Sequence, residues 1–91
     1  MAFIETRIDT GDYDAWKPMF DLDHPAARRD ALGYRIFRGV DNPNEVYIHI
    51  EFASVEHAEA ARKRLVESGV LNRFGNTTGP TVVVEAEAIG Y

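Results

Sequence analysis

The sequence predicts a single α+β domain in which four strands and two helices follow one another as β-α-β-β-α-β. Three observations predict it. Two-residue alternation of apolar and polar side chains runs through the segments at 3–9, 33–40, 45–53 and 81–89. Helical three- and four-residue spacing appears in only two segments, one between the first and second strands and one between the third and fourth. The second and third strands are separated by the short turn DNPN, so they pair antiparallel.

The elements follow in order. In the first strand Ile4, Thr6 and Ile8 point one way and Phe3, Glu5 and Arg7 the other, and Gly11 ends the strand. Asp12 caps the helix that follows, whose Tyr13, Trp16, Met19 and Phe20 form one bulky stripe that must be buried. Pro18 lies inside this helix, where it predicts a kink. Asp23 and Pro25 suggest the start of a further helical segment that runs through AARRDAL and stops at Gly33. The hairpin GYRIFRGV-DNPN-EVYIHIEFA comes next, with Pro43 holding Asn42 extended. Ser54 caps another helix with Glu56 in its first turn, and Val55, Ala58, Ala61 and Leu65 make a narrow stripe whose small residues let it lie close to a sheet. After Gly69, VLNRFGNTTGP reads as a loop and TVVVEAEAI as the last strand.

That order is the ferredoxin-like split β-α-β sandwich, with both helices on one face of a four-stranded antiparallel sheet. On the third strand Val46, Ile48, Ile50 and Phe52 must meet the helices, which sends Tyr47, His49 and Glu51 to the bare face. Phe3, Phe37 and Val83 share that face with Glu5, Arg7, Arg35, Glu85 and Glu87. This is more apolar area than a small monomer leaves in water, and a second copy related by a two-fold axis would cover it. A chain of 91 residues hides only about 60 to 65% of the surface of its unfolded form, so association would also support a thin core.

Composition excludes several functions. The hydrophobic share of 45% is that of a folded domain, and a net charge of −5 with scattered basic residues argues against nucleic-acid binding. The chain has no cysteine, so disulfides and thiolate chemistry are absent. Its first residues, MAFIETRIDTGD, lack the basic end and apolar run of a secretory signal, and no stretch approaches the roughly 20 apolar residues of a membrane span, so a cytoplasmic setting is expected. His24, His49 and His57 lie on different elements without metal-ligand spacing, and no glycine loop leads from a strand into a helix, so neither a metal nor a nucleotide cofactor is expected.

DYDAWKPMFD, YRIFRGVDNPNEV, a strand ending in glutamate and an aromatic, an alanine-rich helix and the closing GPTVVVEAEA together resemble the dimeric α+β-barrel superfamily of small bacterial proteins. The likeness covers nearly the whole chain and lies nearest the antibiotic-biosynthesis-monooxygenase-like and cyclase-like members. It implies a homodimer whose two sheets stack into a barrel, with a substrate pocket in each subunit between helices and sheet. Carried onto this chain, Trp16, Met19, Phe20, Ile48, Ile50 and Leu65 would wall the pocket, with His24, Tyr34 and Arg38 as substrate-binding polar groups near its mouth. DLDHP departs from the usual spacing, so no family role transfers to His24. The asparagine, tryptophan and histidine set of haem-degrading relatives has no counterpart here, so no haem is expected.

Tyr47, His49 and Glu51 carry the candidate catalytic chemistry, with His49 as a general base oriented by a carboxylate. The other reading of the same row is a set of hydrogen bonds across a dimer interface. Trp16 and Phe20 are an i,i+4 pair that serves equally as core or as pocket wall, while Arg28-Arg29 and Arg62-Lys63-Arg64 read as solvated helix faces. Two functions follow. One is a small homodimer that holds a compact aromatic or apolar metabolite and acts on it as a cofactor-free monooxygenase, cyclase or isomerase. The other is a non-catalytic ligand-binding or accessory protein.

Overall fold

The computed structural model describes residues 1–22 and 28–91. Its elements are β1 Ala2–Asp9, α1 Tyr13–Leu22, β2 Gly33–Arg38, β3 Glu45–Phe52, α2 Val55–Ser68, a 3-10 turn at Val70–Arg73, and β4 Thr77–Val84. The strands form one antiparallel sheet ordered β2-β3-β1-β4. This is the α+β order predicted from the sequence.

Alternation along the two central strands builds the core. Ala2, Ile4, Thr6 and Ile8 of β1 are buried while Phe3, Glu5, Arg7 and Asp9 are half-buried, and Val46, Ile48, Ile50 and Phe52 repeat the pattern on β3. The register sets Ile4 beside Ile50, Thr6 beside Ile48 and Ile8 beside Val46. Each fully buried side chain of this kind contributes about 1.5 to 3 kcal/mol. Trp16, Ala58, Ala61 and Leu65 close the core from the helical side.

Local signals hold the helices in place. The Ser54 hydroxyl accepts from the His57 N–H at 3.1 Å to start α2, and Gly69, at φ 72°, ends it by donating to the Val66 carbonyl. The Asp12 carboxylate accepts from the N–H groups of Asp14 and Ala15 at the start of α1, and the helix continues past Pro18 to Leu22. The remaining first-turn donor, the Tyr13 N–H, is taken by the Asn44 side-chain carbonyl at 3.0 Å. The Asn44 backbone carbonyl accepts from both the N–H and the hydroxyl of Thr10, at 2.8 and 2.6 Å. Thus the DNPN turn is a clasp that fastens the hairpin to the β1–α1 junction.

Two segments differ from expectation. The helical segment expected over 23–32 lies partly outside the described residues, and its described part is a turn in which the Ala31 N–H donates to the Arg28 carbonyl at 3.0 Å. Leu32 then joins the sheet, donating to the Glu51 carbonyl at 2.8 Å. The last strand starts four residues early, at Thr77, and ends at Val84 instead of Ile89. TTGP reads as a loop, yet β4 is an edge strand, where a proline removes no ladder bond that the sheet needs. Gly79, at φ 89°, passes so close to the Glu5 carbonyl oxygen that a Cβ would lie 2.5 Å from it.

The two helices stand at different heights. Ala58 and Ala61, fully buried, bring the α2 backbone close to β1, β3 and β4, whereas α1 rests on aromatic side chains and its backbone stays further off. Replacing Ala61 by leucine should therefore cost about 1 to 3 kcal/mol by overpacking. The exposed neighbour Ala60→Leu should change stability by less than about 0.5 kcal/mol. Urea unfolding of the two variants checks the difference.

Candidate functional site

The height difference leaves a cavity of about 60 Å³ between the helices and the sheet. Thr6, Ile8, Ile48 and Ile50 form its floor, and Trp16, Met19 and Phe20 of α1 cover it. Leu65 of α2 and the segment carrying Val70, Leu71, Arg73 and Phe74 close the far side, while Arg28 completes the wall. Sites for drug-sized ligands run from about 300 to 1,000 Å³. By comparison with a cavity of about 150 Å³ that holds the six carbons of benzene, the space takes a group of about two heavy atoms.

Its polarity is unusual for a core. The Thr6 hydroxyl is buried in a residue only 6% exposed and has no hydrogen-bond partner. An unsatisfied group of this kind costs about 1 to 3 kcal/mol. Arg28 is 8% exposed, and its guanidinium lies 3.8 Å from the Phe20 ring centroid and 5.0 Å from that of Tyr34. It also donates to the Phe20 backbone carbonyl at 2.5 Å. Thus Arg28 is not the solvated residue the sequence suggests, because two aromatic faces and a helix C-terminal carbonyl take the place of water. Trp16 stacks between Tyr13 and Phe20, with centroids 5.8 and 5.0 Å away, and Tyr34 meets Phe20 edge-on at 5.2 Å.

The polar groups expected at the mouth are dispersed. Tyr34 stands beside the cavity in an outer recess that also touches Arg28 and Asp21. Arg38 lies at the other end of α1, its guanidinium 3.8 Å from the Tyr13 ring and its Nε donating to the Pro43 carbonyl at 2.8 Å. There it serves the hairpin clasp. His24 lies outside the described residues.

Tyr47, His49 and Glu51 lie on the opposite side of the sheet from the cavity, so the two sets of candidate residues do not form one site. His49 Nε2 is 3.1 Å from Glu5, its neighbour in the register across β1, and the His49 ring meets Phe37 edge-on at 5.0 Å. Tyr47 donates instead to Glu45 at 2.7 Å, and Arg7 donates to the same carboxylate and to the Asn76 side chain. The Tyr47 hydroxyl and the Arg7 guanidinium together hold the Glu45 carboxyl below its ordinary range. The same hydrogen bond to Glu45 pushes the Tyr47 phenol up, away from the ionised form a base would need. Phe37 is 47% exposed and Tyr47 39%, while Phe3 and Val83 are half-buried on the same face.

Thr6 and Arg73 were not singled out by sequence reasoning as site residues. For Thr6 a signal existed: a lone hydroxyl between Ile4 and Ile8 on the strand face that alternation assigns to the core. Among the described residues no cluster of three or more histidine or acidic side chains is placed to hold a metal, and no helix is long and apolar enough to cross a membrane.

In overall structure the chain is similar to a crystal structure from Deinococcus radiodurans described as a "putative antibiotic biosynthesis monooxygenase". The TM-score is 0.59 at 18% identity, and the match covers 100% of this chain and 98% of that one. No protein family and no curated protein matches by sequence. The likeness is one of fold: the chain shares the ferredoxin-like α+β fold of that structure.

Because the Thr6 hydroxyl is buried without a partner, Thr6→Val should stabilise the free protein by about 1 to 2 kcal/mol. Urea unfolding without ligand measures this, and equal or lower stability would show that the hydroxyl is satisfied in solution.

Proposed function

We propose that the chain is a homodimer that binds a compact aromatic or apolar metabolite in the cavity between its helices and sheet. The observation that carries this reading is the partnerless Thr6 hydroxyl set in an otherwise apolar floor. A folded chain retains such a group against its cost where it serves binding. The enclosed space receives one end of the ligand, and the rest leaves past Met19, an exposed and flexible side chain at the rim.

The bare sheet face supports the homodimer. Its apolar side chains form two pairs, Phe37 with Tyr47 and Phe3 with Val83, separated by the polar row of Arg35, His49 and Glu5, and the charges of both signs carried by Arg35, Glu5 and Glu51 suit a self-complementary two-fold contact. In this reading Tyr47, His49 and Glu51 fasten the dimer. Their separation from the cavity by the thickness of the sheet favours a binding or accessory role for the cavity over acid–base catalysis by that row.

The enzymatic form of the reading draws its support from the printed description of the Deinococcus radiodurans protein. Cofactor-free oxygenation would convert a phenol to a quinone, with one atom of O₂ entering the ring and the other leaving as water, the substrate supplying the electrons. Oxygen uptake with phenolic substrates separates it from simple binding.

An NMR titration with 1-butanol should shift the backbone amides of Thr6, Trp16 and Leu65; shifts confined to Phe3, Phe37 and His49 would place binding on the sheet face and contradict the proposal. Sedimentation should give twice the chain mass, falling to the monomer in Phe37→Asp. A monomeric parent protein would remove the dimer from the account.

A further inference from the structure

We propose that residues 85–91 form an added strand in the sheet of a second copy of the chain, laid along the free edge of that copy's β2, so that two exchanged segments seal the dimer. This rests on the homodimer reading and names the segment and the edge that join.

The pattern of the segment gives the first argument. Glu85, Ala86, Glu87, Ala88 and Ile89 continue the two-residue alternation of β4, yet the strand ends at Val84. The reason lies in its neighbour. β1 begins at Ala2, which faces Val84, so the chain beyond that point has no strand to pair with in its own sheet. Residues 85–91 are exposed throughout, with Ile89 at 63%. An alternating segment without a ladder is suited to extend another sheet.

The edge gives the second. β2 is the outermost strand on the side of the sheet away from β4. The Gly39 N–H donates to the Glu45 carbonyl at 2.9 Å, in the register that sets Phe37 beside Tyr47 and Arg35 beside His49. Alternation then turns the N–H groups of Arg35 and Phe37 toward β3 and those of Tyr34, Ile36 and Arg38 outward. Among the described residues no strand faces that outward set.

Charge selects this edge over the other. GYRIFR carries two arginines and no acid, and EAEAIGY carries two glutamates and no base. Arg38 is occupied by the Tyr13 ring and the Pro43 carbonyl, whereas Arg35 is exposed on the bare face. Glu85 and Glu87 follow Val83 by steps of two and so fall on the same side of a shared sheet as Arg35, where opposite charges on adjacent strands attract. Glu85 also borders the groove over the bare face, together with Phe37 and His49, so the segment leaves β4 on the side where the second copy lies. The edge of β4 is the poorer acceptor: TTGPTVVV has no charge to offer, and Pro80 has no N–H.

Sedimentation over a concentration series tests the exchange. Deleting residues 85–91 should leave the chain folded, because they pair with nothing in their own sheet, and should weaken the dimer at least about tenfold, the loss of one or two strand hydrogen bonds. Arg35→Glu should weaken it in the same direction. Adding Glu85→Arg and Glu87→Arg to Arg35→Glu should recover part of that loss, which a purely structural effect of either change would not do. Hydrogen exchange reads the edge itself: the Tyr34 and Ile36 amides should exchange at least about tenfold more slowly in the parent dimer than in the shortened chain.

A shortened chain that dimerises as tightly as the parent, with those amides equally open in both, would overturn the exchange and leave the face-to-face dimer standing. A weaker dimer without protection of Tyr34 and Ile36 in the parent would overturn the assignment to β2. Protection found in a monomeric parent and lost on deletion would place the segment on its own sheet and overturn the exchange. A monomeric parent without protection would overturn the homodimer reading and the exchange with it.

Discussion

Two helices that approach one sheet to different depths create the space on which the site depends. The strict alternation of β1 and β3 presents a floor of isoleucine, valine and phenylalanine broken by Thr6, and both helices must cover it. α2 does so with Ala58 and Ala61, so its backbone comes down onto the strands. α1 does so with Trp16 and Phe20, whose rings hold the backbone away. Protein interiors fill to the density of organic crystals, so a residual space beside such a step is a feature of the side-chain choice and not slack in the fold. Thr6 and Arg28 place polar groups at that step.

The fold was largely legible because its signals are periodic. EVYIHIEF alternates without a break, and the burial of Val46, Ile48, Ile50 and Phe52 follows from it directly. Ser54 and Gly69 bracket α2 at the positions their chemistry favours. Legibility failed where position in the sheet outranks local preference. Thr77–Pro80 contains glycine and proline and pairs as strand only because it is an edge segment with Gly79 crossing the Glu5 carbonyl. Arg28 failed for a related reason: its environment is made by Phe20 and Tyr34, which precede and follow it by several residues and converge only in the folded chain. The apolar walls of the cavity, by contrast, lie among the residues that the resemblance pointed to, since Trp16, Met19, Phe20, Ile48, Ile50 and Leu65 all border it.

The turn between β2 and β3 also fixes the placement of α1. DNPN, with Arg38 beside it, supplies the Asn44 groups that satisfy Thr10 and the first turn of α1. It thereby sets where α1 begins and hence where Trp16 sits above the sheet. Polar residues on the far face likewise arrange themselves in pairs across strands, Arg7 with Glu45 and His49 with Glu5. The sheet thus divides the molecule into a layer that encloses space and a face that carries exposed aromatic and charged side chains.

The step between the helices is open to a direct observation. In crystals pressurised with xenon, a polarizable atom that enters small apolar cavities, the account predicts a xenon site bordered by Trp16, Ile48 and Leu65. A helix–sheet layer free of xenon, its side chains closed over that position, would contradict it.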